Sequence, residues 1–305
     1  MTNILLLGGN GFLGKNIISR LVQNKNLSIS SFDLFSPTQP LEGVRYYCGN
    51  LSDEGKIESI LRGNEINVVV HLVSTLIPAS TVQDYENDCN TVYNPTVKIL
   101  ELCVKYNTKF IYMSSGGTIY GNQHGIISED APATPISYYG FSKLQMESLI
   151  KFYHRVYGLE YLILRPSNPY GVGQNLYGKQ GIIAVSLGKL LKNETLTVFG
   201  DGSNIRDYIY IDDYTLYIEK LIENNISNQT FNIGSGKGYS ITEVLETLQK
   251  VSGKALKIEH VPSRKNDVPE FVLDISRINS FIPCKQFSLE EGIRRFYNYV
   301  AGVNK

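Results

Sequence analysis

The 305-residue sequence has no surplus of charge of either sign, because 29 Lys and Arg residues balance 29 Asp and Glu residues. A nucleic-acid-binding surface needs positive charge to neutralise phosphates, so the composition argues against nucleic acid as a partner. Cysteine is also scarce: the four cysteines form no CxxC pair. A chain of this length does not need disulfides to hold its fold, and we expect four reduced thiols.

Long hydrophobic runs are missing as well. The most apolar stretch, residues 68–78, is interrupted by His71, Ser74 and Thr75 and is far shorter than the roughly 20 residues of a membrane span. The first residues carry no basic leader before a long apolar segment. We therefore expect a globular protein without a membrane span, located in the cytoplasm. The four histidines lack ligand spacing, so no metal is expected.

Short apolar segments alternate with longer segments of helical periodicity in the first half of the chain. The segments that predict strands are residues 3–7, 28–33, 44–48, 68–73, 110–114 and 161–164. The segments that predict helices are residues 11–23, 53–62, 92–106 and 138–157. This alternation is typical of parallel strands joined by crossover helices. It predicts an α/β fold, with a Rossmann-type doubly wound parallel sheet in residues 1–166. A smaller mixed α/β lobe follows in residues 167–305, with some segments returning to the first domain.

A glycine-rich turn follows the first predicted strand. Gly8, Gly11 and Gly14 are spaced G-x-x-G-x-x-G at the start of a helix, where backbone amides and the helix dipole favour a pyrophosphate. Asp33 ends the second predicted strand and could accept hydrogen bonds from ribose hydroxyls. Since its carboxylate would repel a 2′-phosphate, the pattern favours NAD over NADP. The alternative is a turn with a structural role only.

A second pattern points to acid–base chemistry. Tyr139 and Lys143 are four residues apart and therefore lie on one face of a predicted helix. The hydroxyl-rich segment 114–118 ends a predicted strand, and ligands in such sheets bind beyond the carboxyl ends of strands. The alternative is an ordinary helix residue, because the chain contains 21 tyrosines.

The acidity of the phenol can be argued from charge. A tyrosine has a pKa near 10, and lowering that pKa to about 7 needs roughly 4 kcal/mol. One cation at about 5 Å, at an effective dielectric of about 20, supplies roughly 3 kcal/mol. Lys143 and an oxidised nicotinamide together would therefore make Tyr139 an acid and base for hydride transfer at a carbinol.

Taken together, these motifs resemble the extended short-chain dehydrogenase/reductases, and among them the nucleotide-sugar epimerases typified by UDP-glucose 4-epimerase. The resemblance covers nearly the whole chain and implies NAD as cofactor. The residues that it implies for NAD binding are Gly8, Gly11, Phe12, Leu13, Gly14, Asp33, Asn50, Leu51, Leu72, Val73, Ser74, Ser114, Tyr139, Lys143 and Pro166.

The same resemblance implies a substrate site. Its residues would be Thr118, Asn168, Arg206, Arg264, Asp267 and Phe271. The two arginines would bind the diphosphate, and Phe271 lies where the family limits the size of the hexose. Gly116 stands where many members carry a proton-relaying Ser, so Thr118 or Ser115 must supply that hydroxyl, and we assign it to Thr118. The catalytic residues are then Tyr139, Lys143 and Thr118.

The resemblance implies NAD-dependent epimerisation at C4 of a nucleotide-activated hexose, of the UDP-glucose and UDP-galactose type, through a transient 4-keto intermediate. Related dehydratases and decarboxylases carry acidic residues in this segment, whereas Gly116 and Gly117 have no acidic side chain, so the resemblance argues against those two reactions. Helices 92–106 and 138–157 resemble the pair that forms the family's homodimer interface, although helices packed on a sheet would look the same. The alternatives are a reductase of a 4-keto nucleotide sugar and a non-catalytic NAD-binding regulator or scaffold.

Overall fold

The computed structural model describes residues 1–123, 125–178, 180–263 and 268–302. Its strands are β1 (Thr2–Leu7), β2 (Leu27–Asp33), β3 (Val44–Cys48), β4 (Val68–His71), β5 (Lys109–Met113), β6 (Ile126–Ile127), β7 (Tyr161–Pro166), β8 (Asn168–Tyr170), β9 (Leu196–Phe199), β10 (Ile205–Tyr210), β11 (Gln229–Ile233), β12 (Gly238–Ser240), β13 (Ile258–Val261) and β14 (Glu270–Leu273). Its α-helices are α1 (Phe12–Leu21), α2 (Glu54–Gly63), α3 (Val82–Asp88), α4 (Asn94–Lys105), α5 (Gly116–Ile119), α6 (Tyr138–Tyr157), α7 (Ile182–Lys192), α8 (Ile211–Glu223), α9 (Ile241–Ser252), α10 (Ser276–Phe281) and α11 (Leu289–Ala301). A π-helical turn, Cys89–Tyr93, joins α3 to α4.

Seven strands form one sheet in the order β11-β7-β5-β4-β1-β2-β3. The neighbours from β7 to β3 pair in parallel. The chain runs from β1 to β2 and β3 on one side and then to β4, β5 and β7 on the other. This confirms the predicted Rossmann-type doubly wound sheet. The strand order reverses between β1 and β4, and ligands of such sheets bind outside the carboxyl ends of the strands at that point.

The chain divides into two compact units. The first comprises Met1–Gly121, Pro132–Arg165 and Ile218–Phe231, and the second comprises Asn122–Ala131, Pro166–Tyr217 and Asn232–Lys305. In the second unit, β12, β10, β14 and β6 are neighbours, and β8 also pairs with β10. The β10–β12 pairing is antiparallel, whereas the β10–β14 pairing is parallel. The second unit therefore contains the mixed α/β lobe that the sequence predicted.

The core of the first unit lies on both faces of its sheet, because all side chains of β1 from residue 4 to residue 7 are fully buried. Leu5, Leu7, Val69, Phe110 and Ile163 are fully buried members of one hydrophobic cluster with residues of α2, α4 and α6. Strands that are apolar on both faces are typical of a parallel sheet covered by helices. No helix within the described ranges is long and apolar enough to cross a membrane.

Helix α6 has clear boundaries because both of its ends are capped. The Ser137 side chain accepts a hydrogen bond from the Gly140 amide at the start, and Gly158 takes a left-handed conformation (φ 73°) at the end. Such caps satisfy backbone groups that lack a helical partner. The helix spans the residues that the sequence predicted, and it carries Tyr139 and Lys143 in its first two turns.

Candidate active site

The glycine-rich turn brings helix α1 close to the end of β1. Gly8 has φ +85°, a backbone conformation that favours glycine. A Cβ on Gly14 would lie 2.6 Å from Gly8 O and from Gly9 Cα, so α1 packs against the turn only without a side chain there. A Cβ on Gly11 would meet only Gly8 O, at 3.7 Å. Helix α1 also starts without a side-chain cap, so no side chain of its own occupies its amides at that end. This turn fits a dinucleotide pyrophosphate.

Alanine at two of these glycines should separate packing from cofactor binding. We expect Gly14→Ala to destabilise the protein by about 1–3 kcal/mol, because the added carbon overlaps backbone atoms. Gly11→Ala has room within the protein and should unfold at nearly the wild-type temperature, but it should lose NAD because its methyl group occupies the side open to a ligand. Thermal unfolding of the proteins after bound NAD has been removed, and titration of the same proteins with NAD, measure the two effects. Equal NAD affinity of Gly11→Ala and wild type would contradict this site.

The edge formed by β2 and β3 carries the residues predicted to contact adenosine. Asp33 ends β2, and its carboxylate accepts hydrogen bonds from the amides of Asn10 at 2.8 Å and Leu34 at 2.7 Å. Asp33 pairs with Cys48 of β3, which places Asn50 and Leu51 in the loop just beyond. The structure therefore brings Asp33 to the glycine-rich turn, and its anchored carboxylate still has lone pairs for ribose hydroxyls.

The ends of β4 and β5 carry the next predicted NAD contacts. Leu72, Val73 and Ser74 follow β4, and a Val73 methyl group lies 3.0 Å from a Cβ built on Gly8. Ser114 follows β5, and its hydroxyl donates to Glu147 Oε1 at 2.6 Å. Both segments lie at the carboxyl ends of neighbouring strands. Pro166 is the last residue of β7.

Tyr139 and Lys143 lie together on α6. Lys143 is buried, and its Nζ donates to Met113 O at 2.9 Å. The same nitrogen lies 5.6 Å from the ring centroid of Tyr139 and 4.9 Å from that of Tyr112. The side chain of Ser115 hydrogen-bonds Tyr139. A phenol, a hydroxyl and an ammonium therefore form one cluster, as the sequence predicted.

Burial has a large effect on the electrostatics of this pair. Burial lowers the pKa of Lys143 to about 8, although Asp88 and Glu147 act to raise it. Burial also raises the pKa of Tyr139 above its ordinary value, opposed by the hydrogen bond from Ser115 and reinforced by the charge of Asp88. The charge argument counted only the attraction of Lys143 and of an oxidised nicotinamide, and it left out the loss of solvation that raises the pKa of the phenol in the chain alone.

The sequence analysis assigned the proton-relaying hydroxyl to Thr118, whereas the structure places a different hydroxyl against Tyr139. The hydroxyl bonded to Tyr139 belongs to Ser115. Thr118 lies in α5, and its Oγ1 is buried without a hydrogen-bond partner among the described residues. A Cβ on Gly140 would lie 2.4 Å from Thr118 O, so this glycine lets α6 approach α5. Thr118 thus lies beside the first turn of α6, but the residue whose side chain hydrogen-bonds the Tyr139 phenol is Ser115.

The sequence reasoning missed two buried acidic residues near this pair. Glu147 accepts from Arg165 through both carboxylate oxygens, with Nε at 2.9 Å and Nη2 at 2.6 Å. Asp88 accepts from the hydroxyls of Thr75 at 2.6 Å and Ser142 at 2.9 Å. Glu147 could have been found from its position four residues after Lys143 on the same helix. No local pattern marks Asp88.

Three predicted substrate residues lie on neighbouring strands of the second unit. Asn168 of β8 pairs with Tyr208 of β10, and Phe271 of β14 pairs with Arg206 of β10. Asn168 Nδ2 donates to Asp207 O at 2.7 Å. The structure thus brings Asn168, Arg206 and Phe271 onto one sheet, with Phe271 buried. The predictions for Arg264 and Asp267 lie outside the described residues.

The comparisons with known proteins agree with this architecture. The profile of the NAD dependent epimerase/dehydratase family matches residues 4–234. A provisionally named UDP-glucose 4-epimerase of Methanocaldococcus jannaschii is 32% identical, over 99% of both chains. A dTDP-4-dehydro-6-deoxyglucose reductase of Escherichia coli is 31% identical, over 90% of this chain and 89% of the other.

A solved structure extends the similarity to the whole fold. The structure of the Thermotoga maritima UDP-glucose 4-epimerase with UDP-glucose superposes with a TM-score of 0.92, at 31% identity and with all of both chains covered. The sequence and the fold therefore agree on one family of proteins.

Proposed function

Because the chain belongs to the NAD dependent epimerase/dehydratase family, we propose that it inverts C4 of a nucleotide-activated hexose of the UDP-glucose and UDP-galactose type. Its family resemblance to the extended short-chain dehydrogenase/reductases is confirmed, and its cofactor is NAD. The observation that supports the proposal best is the cluster of Tyr139, Ser115 and the buried Lys143 at the carboxyl ends of the strands.

The first unit would hold NAD. The glycines at 8, 11 and 14 leave the room and the helix amides that a pyrophosphate needs, and Asp33 is placed for the ribose. Leu72, Val73, Ser74 and Ser114 would line the same cleft beyond β4 and β5. Bound NAD supplies a hydride acceptor and, in its oxidised form, a second positive charge.

The chain's own residues would handle the proton. Tyr139 would take the proton of the 4-hydroxyl as hydride leaves C4, and would return it after the 4-keto sugar has turned its other face. Ser115 donates to the phenol oxygen and Lys143 supplies positive charge, and both favour the phenolate. Thr118 Oγ1, buried and unpartnered among the described residues, would bind a sugar hydroxyl.

The second unit would hold the nucleotide diphosphate. Arg206 offers a charged fork for a phosphate, and Asn168 an amide on the adjacent strand. Arg264 and Asp267 would complete this clamp, and Phe271 would limit the size of the hexose. An anchored diphosphate leaves the hexose free to turn, which the inversion requires.

The reductase of a 4-keto nucleotide sugar is a second candidate, favoured by the 31% identity to the Escherichia coli reductase. The two reactions would share Tyr139 and Lys143. They differ in the fate of the cofactor, since an epimerase must keep its reduced cofactor until hydride returns, whereas a reductase releases it.

One purification and one assay test the proposal. We expect denatured, freshly purified protein to release about one NAD per chain, and the native protein to interconvert UDP-glucose and UDP-galactose without added cofactor. Absence of bound NAD, together with consumption of added NADH or NADPH on a 4-keto nucleotide sugar, would establish the reductase instead. No reaction with either class would favour a non-catalytic NAD-binding protein.

The proposed homodimer would use α4 and α6. Helix α6 leaves Phe141, Phe152, Val156 and Tyr157 exposed, which is a large apolar surface for one helix. These side chains support the prediction of self-association through this helix.

A further inference from the structure

The residue that helix α3 buries is acidic. All residues of α3 are described, and Asp88, at 2% exposure, is the one that is buried. Carboxylates are almost never fully buried unless they are paired. Among the described residues, no cation forms a direct ion pair with Asp88; its oxygens accept from the neutral hydroxyls of Thr75 and Ser142. A buried carboxylate that is held by two neutral hydroxyls, without a direct ion pair, is unusual for a residue with a packing role alone.

Asp88 lies at the junction of α3 and a π-helical turn. The π-helical turn Cys89–Tyr93 begins at the next residue, and such turns are rare and occur often at functional sites. Ser142, which donates to Asp88 at 2.9 Å, is three residues after Tyr139 and immediately before Lys143 on α6. Asp88 is therefore tied by a hydrogen bond to the turn of helix that carries both predicted catalytic side chains.

Several titratable groups surround Lys143, and they differ in whether another cation already neutralises them. His71, which burial and the nearby Lys143 hold neutral with a pKa of about 3, faces it from β4. Tyr112 contacts it from β5, and Tyr139 and Glu147 share its helix. Glu147 is already paired with Arg165 at 2.6 Å. Asp88 is thus the negative charge near Lys143 that no other cation neutralises within the described residues.

We infer that Asp88 is a positioning residue for the Tyr139–Lys143 pair: its buried carboxylate is the counter-ion that keeps Lys143 an ammonium and fixes the pH range in which the pair works. This inference rests on the proposed function. Asp88 has opposite effects on the two partners, since it favours the charged form of Lys143 and disfavours the phenolate of Tyr139. Both effects raise a pKa, so removing the charge must lower both.

Asp88→Asn tests this inference because it removes the charge and keeps the shape. The two limbs of the kcat/KM profile report the two apparent pKa values of the Tyr139–Lys143 pair. We expect both limbs to move to lower pH by about one unit, so that kcat/KM on the alkaline limb falls about tenfold relative to wild type. A structural role alone would lower the whole profile without moving it.

Two matched variants control the experiment. Glu86→Gln removes the same charge from an exposed position on α3 and should leave both limbs in place, because solvent screens that charge. Ser142→Ala removes one hydrogen bond from Asp88 but keeps its charge, and should also leave both limbs in place. If Asp88→Asn does not fold, Asp88→Ser provides a second uncharged side chain that both hydroxyls can bond.

A titration separates this inference from the proposed function. The near-ultraviolet phenolate absorbance of each protein, minus that of the same protein carrying Tyr139→Phe, follows Tyr139 without any turnover. Absence of turnover in wild type would contradict the proposed function. Even in that case, the inference expects the Tyr139 phenol to titrate about one pH unit lower in Asp88→Asn than in wild type. Unmoved limbs and an unmoved titration in Asp88→Asn, or failure of both Asp88 variants to fold, would overturn the inference.

Discussion

Tyr139→Phe is expected to lower turnover of the nucleotide sugar by about 10²- to 10⁴-fold, the range that a positioned acid–base group contributes. The change removes one hydroxyl, which is hydrogen-bonded by Ser115 and lies on the helix that holds Lys143. Without it, Tyr139 could not exchange the proton that the proposed function assigns to it. Because the ring stays, the fold and the bound NAD should be unaffected. Initial rates with UDP-glucose and UDP-galactose, and NAD released on denaturation, measure both.

The neighbouring tyrosine provides the control. Tyr138→Phe is the same chemical change one residue earlier, on a side chain that is 40% exposed and stacked on Tyr85 at a centroid distance of 5.5 Å. We expect that variant to turn over at nearly the wild-type rate. Turnover by Tyr139→Phe within a few-fold of Tyr138→Phe would remove Tyr139 from the chemistry.

The sequence predicted those elements whose signal is local. Short apolar runs marked the strands β1 to β5 and β7, and the apolar periodicity of residues 138–157 marked α6 with its bounds. The glycine-rich turn was predictable because the requirement for glycine is itself local: φ is positive at Gly8, and α1 leaves no room for a Cβ at Gly14. In each case, the local backbone conformation or the helix face on which a residue lies determines the residue type that the position requires.

Other features depend on distant contacts and left no such signal. β11 joins the first sheet beside β7 after more than 60 intervening residues, and only the folded chain shows that pairing. Helix α3 has no apolar stripe to predict it, because the residue it buries is the carboxylate of Asp88. The helix predicted from residue 92 begins at Asn94 instead, after the π-helical turn, with Pro95 in its first turn.

The raised pKa of Tyr139 belongs to the same class of missed features. The four-residue separation of Tyr139 and Lys143 was enough to estimate the attraction between a phenolate and an ammonium, because both residues lie on one helix. The loss of solvation depends on every strand and loop that covers the pair, and it is the largest cause of the raised pKa of Tyr139 in the chain alone. Sequence reasoning therefore predicted the two residues but left out the effect of burial on their pKa values.

Glu147→Gln is expected to destabilise the protein by about 3–5 kcal/mol, because it leaves a buried guanidinium without its counter-ion. Glu147 and Arg165 are exposed by only 1% and 4%, and Arg165 Nη2 lies 2.6 Å from Glu147 Oε2. Arg165 Nη1 also donates to Tyr120 Oη at 2.8 Å, and Ser114 donates to Glu147, so the pair joins α6, β7 and the end of β5. The free energy of unfolding in urea measures the loss.

Two further variants test whether the unpaired buried charge of Arg165 causes the loss of stability in Glu147→Gln. Glu101→Gln removes the same group from the exposed Lys98–Glu101 pair, at 3.1 Å, and should cost no more than about 0.5 kcal/mol. Adding Arg165→Met to Glu147→Gln removes the unpaired charge and should recover part of the lost stability, since a buried ion pair replaced by apolar groups often costs little. A double variant less stable than Glu147→Gln alone would show that the hydrogen bonds of Arg165 to other groups, rather than its uncompensated charge, decide the stability of this site.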